Sequence, residues 1–183
     1  AAPHNAVTNT EKLLASAKNK KYRTTSSEKS VLKYTTDEVK LENGEDATTI
    51  TIPHSDLQTV KYVYDSENKV YERYARSKKQ TDWDTKEAIT TKNIVITFCE
   101  NYTLSDSENK GRQGLKNIGT FDGYYITEGK AIKIKCTKSA RDEKTVYKDL
   151  NGNEIQVNDG NTFVNICSLD ANVKIEGSTQ TAN

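Results

Sequence analysis

Apolar residues in this chain come in short runs that alternate with polar ones. The clearest run is residues 119–138, GTFDGYYITEGKAIKIKCTK. Tyr125 opens an apolar alternation on the way in, and Ile132, Ile134 and Cys136 alternate with Lys133 and Lys135 on the way out. A period of two with one dry and one wet face predicts a pair of strands, joined here by a tight Glu128-Gly129 turn. A second hairpin is predicted over residues 60–75, where YVYD and VYERYA flank the polar turn Ser66-Glu67-Asn68-Lys69. Val63 on one face and Tyr62 and Tyr64 on the other give both faces apolar bulk, so this strand reads as central or covered. Residues 93–98 predict a strand with Ile94, Ile96 and Phe98 on one face.

Weaker patterns fill the rest. Residues 31–34, 162–167 and 172–175 read as strands, and residues 41–46 hold an Asn43-Gly44 turn. Residues 48–52 read as a strand that stops at Pro53, where a ladder donor is lost, which leaves His54 as a surface residue in a loop. TVYKD and NEIQV form another hairpin around Leu150-Asn151-Gly152. Residues 5–22 hold the one helix: Thr8 followed by Glu11 matches a capping box, and Leu13, Leu14 and Ala17 share a face. Residues 102–117 read as polar connection. The expected fold is α+β and β-rich, a mainly antiparallel sheet or partly open barrel of about eight to ten short hairpin-linked strands with one N-terminal helix. The expected division is a helical segment over 1–23, the tail of a preceding domain, then a β-rich domain over 24–176 and a disordered tail over 177–183.

Composition narrows the function classes. With 183 residues, 33% hydrophobic and 29% charged, the apolar supply is thin. It is gathered into Ile, Val and Tyr islands, and the net charge is only +1, so a folded domain is expected rather than a disordered chain. Near-neutrality gives no general argument for nucleic acid or an acidic membrane. The lysines after the helix read as favourable charge at a helix C-terminus. No stretch approaches the roughly 18 consecutive apolar residues of a membrane helix. The chain begins Ala1-Ala2-Pro3-His4 and contains no methionine; it reads as a processed or deliberately cut piece of something longer.

Candidate chemistry is sparse. Cys99, Cys136 and Cys167 each end a strand-like run and read as small buried hydrophobes, with a Cys99–Cys136 disulfide as the alternative in an oxidising compartment. Scattered thiols and two isolated histidines do not compose a zinc ligand set. Asp149, Asn151 and Asn153 offer oxygens at alternate positions as a calcium loop does. The glycine falls at the fourth position instead of the sixth, however, and Gly160 stands where a bidentate glutamate belongs, so a turn explains these residues. Neither nucleophile elbow, HExxH, P-loop nor dinucleotide fingerprint is present, and neither cofactor nor metal is expected. Trp83, between Asp82 and Asp84, reads either as a grip for a sugar or peptide or as a lid folded over a small core.

Motifs along the chain carry a resemblance. Gly123-Tyr124-Tyr125-x-Thr127-x-Gly129-Lys130-x-Ile132 is followed by Tyr147-x-Asp149-x-Asn151-Gly152-x-Glu154-Ile155 and by Asn158-x-Gly160-x-Thr162. Upstream stand Pro3-His4-Asn5 with the helix, Tyr64-Asp65 with Tyr71 and Arg73, and Asn93-Ile94-Val95. Together, from about residue 3 to about residue 167, these resemble the C-terminal domain of the YerB-like lipoproteins, a bacterial family without an assigned function. The chain departs from that family at Cys136, where tryptophan is usual, and at Gln80, near which histidine is frequent. The resemblance implies a larger N-terminal domain as partner, an extracytoplasmic location and a lipid anchor outside this chain.

The expected function is a non-enzymatic extracytoplasmic module binding a cell-envelope component or protein partner. The rival is an enzyme acting on an envelope polymer through residues shared with the preceding domain. A purely structural support for that domain is the third reading. His4, Asn5, Trp83 and Arg112 are the candidate ligand-binding residues, with His4 also read as tying down the helix entry; nucleic acid is not an expected partner.

Overall fold

The structure is a computed structural model, and it describes residues 7–27 and 29–177. The expected site residues His4 and Asn5, and all but the first residue of the expected tail, lie outside that range. The chain divides into two compact units, Ala1–Ser30 and Val31–Asn183.

The first unit holds α1 (Thr10–Asn19). Its cap is Asn9, one residue later than the expected Thr8: the Asn9 side chain accepts from the Lys12 N–H at 2.9 Å, which satisfies one of the open donors of the first turn. Leu13 and Leu14 are exposed.

The second unit holds sixteen strands among the described residues. They begin with β1 (Lys33–Thr35), β2 (Glu45–Asp46), β3 (Thr49–Ser55), β4 (Gln58–Asp65), β5 (Val70–Ala75) and β6 (Lys78–Lys79). There follow β7 (Thr90–Thr91), β8 (Asn93–Phe98), β9 (Glu100–Thr103), β10 (Gln113–Lys116), β11 (Gly119–Thr127) and β12 (Lys130–Lys138). The last are β13 (Val146–Asp149), β14 (Gln156–Asn158), β15 (Thr162–Cys167) and β16 (Lys174–Glu176). The count exceeds the expected eight to ten because several are pairings of two to four residues. The fold is α+β and β-rich, as the patterning implies.

Two open six-stranded sheets organise the unit. The first runs β13-β12-β11-β8-β15 with β2 also on β12, and the second runs β16-β3-β4-β5-β6 with β7 also on β5. Most pairs are antiparallel, but β15 lies parallel to β8 and β1 parallel to β14. In the β11–β12 hairpin Thr127 pairs with Lys130. The two loop residues, Glu128 and Gly129, have φ of 51° and 72°, the left-handed pair that a two-residue hairpin of the right twist requires.

Alternation along β8 explains how the layers stack. Ile94 and Ile96 face a core shared with Ile50, Ile52, Val60, Tyr62 and Tyr71 of the second sheet. Val95 points the other way, into a core with Tyr125, Ile134, Cys136, Tyr147 and Val157. β8 is therefore covered on both faces, which is why its sequence is an almost unbroken apolar run.

Two expectations are corrected. β3 runs through Pro53 to Ser55 and includes His54. Beyond Thr51 the neighbouring β16 has ended, and the ladder register shifts between Pro53 and Ser55, so the proline sits at an uncovered edge beside a bulge. Residues 102–117 also contain a hairpin: β9 pairs with β10 from Glu100–Lys116 to Thr103–Gln113. All three cysteines are free and buried. Phe121 of β11 is the register partner of Cys136 and Gly123 that of Thr97, so the ladder sets Cys99 and Cys136 two strands apart. At strand spacing that is about 9–10 Å, beyond disulfide reach.

Candidate functional site

The wet face of β12 borders a cavity. Ile134 and Cys136 are buried in the second core, so alternation turns Lys133 and Lys135 to the opposite face. There Lys133 pairs across the ladder with Tyr124 and Lys135 with Asp122. Lys135 Nζ lies 2.5 Å from Asp122 Oδ1. Tyr124 meets Phe98 edge to face, with centroids 6.2 Å apart. This part of the face is roofed on one side by the segment after β15, and a cavity of about 580 Å³ results, lined by Phe98, Tyr124, Lys133, Lys135, Leu150 and Leu169 among others.

A second cavity of about 590 Å³ adjoins it on the outer side of β12. Its position follows from the strand pairing. β2 pairs with β12 only at Lys130 and Ala131, and β13 only from Ile134 to Thr137. Between them Ile132 and Lys133 have no strand on that edge, and the gap is walled by Leu41, Glu45, Asp149 and Leu150. Lys133 and Leu150 line both cavities. The two meet at these side chains and together, as the trough, bring Phe98 and Tyr124, several amines and several carboxylates to β12, with Leu150, 63% exposed, where they meet.

The wall carboxylate Asp149 is occupied. Oδ1 accepts from the Asn151 and Asn153 N–H groups at 2.9 and 2.8 Å, and Oδ2 from Asn153 Nδ2 at 3.1 Å. The Asn153 side chain and these backbone donors hold its pKa below the usual carboxylate range. These contacts make the turn. Among the described residues no group of three or more His, Cys, Asp or Glu side chains is placed to hold a metal ion.

The family-like motif residues have a different role. Tyr125 donates to Asn93 Oδ1 at 3.0 Å and accepts from the Asn158 N–H at 3.2 Å. Asn158 Nδ2 donates to Thr127 Oγ1 and to Val39 O, both at 3.0 Å. Asn93 Nδ2 reaches Asn158 O at 2.9 Å. All four side chains are buried. They satisfy one another and tie β8, β11 and β14 together, so this part of the motif secures the scaffold beneath the trough.

Of the expected site residues, Trp83 and Arg112 lie among the described residues, on separate loops. Trp83 is 84% exposed, so it is no lid over a core. It lies in the loop between β6 and β7, with Lys86 Nζ 4.4 Å from its ring centroid. Arg112 is bound within the β9–β10 loop, to Asp106 at 3.0 Å and Glu108 at 2.5 Å. Neither lines the trough. Lys133, Tyr124, Phe98 and Leu150, which do, carried one sequence signal: the lysines on the wet face of the 119–138 hairpin.

What fold and site together define is a β-rich α+β module with a trough across one sheet. The chain matches the C-terminal domain of a family described as protein of unknown function (DUF3048) over residues 49–164. That span is more than half of the chain, and the chain belongs to this family. The crystal structure of the YerB protein from Bacillus subtilis has the same fold, with a TM-score of 0.75 at 20% sequence identity. The match covers 95% of this chain and 57% of that one, so the chain spans little more than half of YerB's length. Comparison with curated proteins returns no match.

Proposed function

We propose that this chain is a non-enzymatic binding module of the bacterial cell envelope, acting outside the cytoplasm, and that the trough across β12 is where it binds. The observation that carries this reading is the pair of cavities that share Lys133 and Leu150. A trough lined by aromatic side chains and by charges of both signs suits an extended, amphipathic chain such as a wall-associated peptide or polymer segment. Phe98 and Tyr124 supply apolar area for it, Lys133 and Lys135 bind its anionic groups, and Glu45 attracts any amines. The edge gap at Ile132 and Lys133 exposes backbone groups to amides of the bound chain. A preceding domain of the same protein, held to the membrane by a lipid anchor, is the second proposed partner. It is consistent with the match to 57% of YerB.

The experiment is retention of the purified chain on isolated cell wall and envelope extracts. Retention that is competed by soluble wall fragments supports the reading; absence of retention by every fraction overturns binding through this chain.

A further inference from the structure

The seam between the second sheet and β15 carries polar side chains that the trough does not use. Arg73 on β5 pairs across the ladder with Tyr62 on β4, so both side chains enter the layer between the sheets. The Arg73 guanidinium carbon lies 5.2 Å from the centroid of the Phe163 ring, and the Tyr62 and Phe163 centroids are 5.9 Å apart. Arg73 Nη1 donates to Gln80 Oε1. Its Nε is buried and has no hydrogen-bond partner. Arg73 takes part in none of the ion pairs among the described residues. Two residues along β15 from Phe163, Asn165 is 7% exposed. Its Oδ1 accepts from the Tyr62 hydroxyl at 3.3 Å, and its Nδ2 is buried without a partner. His54, at the exposed end of β3, stands close enough for burial and the Arg73 charge to lower its pKa.

A buried donor left without an acceptor is destabilising, so two of them in one layer point to an acceptor that the chain does not supply. The choice of arginine narrows its chemistry. The Arg73 guanidinium lies against the Phe163 ring and Gln80 accepts from one of its nitrogens, which leaves Nε on the other edge of the planar fork without a partner. That edge matches the two oxygens of a carboxylate, a geometry that lysine cannot offer. We propose that this seam is a carboxylate-binding site separate from the trough, with the Nε edge of Arg73 as the principal ligand and the Asn165 amide as the second donor.

The test is an NMR titration of the chain with sodium acetate against sodium chloride at equal ionic strength, reading the Arg73 Nε–H, the Asn165 amide and the His54 ring. A saturable shift with acetate and none with chloride is expected. Arg73→Lys, which keeps charge and stem but loses the fork, is expected to weaken acetate binding about tenfold, equivalent to 1.4 kcal/mol. Equal shifts with both salts, or an undiminished response in a folded Arg73→Lys, overturn the proposal. Should that variant not fold, Gln80→Ala replaces it: loss of the amide oxygen that fixes the fork weakens acetate binding, and an unchanged affinity contradicts the site. Preference for inorganic phosphate over acetate overturns the carboxylate assignment. A short peptide with a free carboxy terminus and its amidated form decide whether chain ends are read; equal binding of the two counts against the site, and binding of the free acid alone supports it.

Discussion

Tyr125 and Asn93 are joined by a hydrogen bond of 3.0 Å from phenol to amide oxygen, with both side chains wholly buried. The bond links β11 to β8, and through Asn158 N–H, which donates back to the same phenol, it reaches β14 as well. Tyr125→Phe keeps the ring and its packing but leaves Asn93 Oδ1 and the Asn158 N–H without this partner. The expected loss is about 1–3 kcal/mol of stability, seen as a lower urea midpoint with an unchanged slope. A midpoint equal to wild type would show that the hub contributes little.

Gly123 lies where β11 passes between its neighbours. A β-carbon there would fall 2.3 Å from Ile96 O and 2.8 Å from Cys136 Sγ, and backbone oxygen cannot yield as a flexible side chain can. Gly123→Ala is expected to cost about 3 kcal/mol, read as a lowered melting temperature. A melting temperature within a degree or two of wild type would contradict this packing.

The 119–138 and 60–75 hairpins and the 93–98 strand were legible because alternation of period two and a short polar turn fix both partners locally. The parallel pairing of β15 with β8 was not: Thr162 meets Asn93 across a long stretch of chain, and alternation says nothing about which strand a strand will meet. β9 and β10 were hidden for another reason. Glu100, Asn101, Tyr102 and Thr103 are all exposed, so no apolar face marks them. At α1 two good capping residues stand side by side, and the sequence alone did not separate Thr8 from Asn9.

The site was less legible than the fold. Trp83 and Arg112 stood out by residue type, yet each belongs to a surface excursion with its own local partners. Lys133 and Leu150 stand out only once the topology lays the Asp149 turn beside the gap in the β12 edge. Gln80, near which the resembling family frequently has histidine, accepts a hydrogen bond from Arg73.

Buried phenols and thiols set the alkaline limit. Burial raises the Cys167 thiol to about 11 and the Tyr125 phenol to about 12, and it raises Tyr71 as well. A folded-state pKa above the unfolded one contributes stability that is whole below the unfolded value and is lost as pH rises through the folded one. The window here runs from about pH 9 to 12, and Cys167 and Tyr125 account for on the order of 2–3 kcal/mol each. Unfolding free energy is expected to hold steady from pH 7 to 9 and to fall beyond it. A flat profile to pH 12 would contradict the burial.

The same burial makes the thiols unreactive. Cys99, Cys136 and Cys167 are at most 2% exposed, and their raised pKa values keep the nucleophilic thiolate scarce near neutral pH. An aromatic disulfide reagent at pH 8 is expected to label none of them in the folded chain and all three in denaturant. Rapid labelling of the native protein would overturn this.

The trough is most directly tested by the two residues that both of its cavities share. Lys133→Glu combined with Leu150→Ser alters exposed side chains, so the melting temperature is expected to stay close to wild type. Retention of this double variant and of the wild-type chain on the same purified envelope fraction is the decisive measurement. The account predicts that the wild type is retained and that the variant's retention falls about tenfold, equivalent to 1.4 kcal/mol of binding. Equal retention of the two would contradict it.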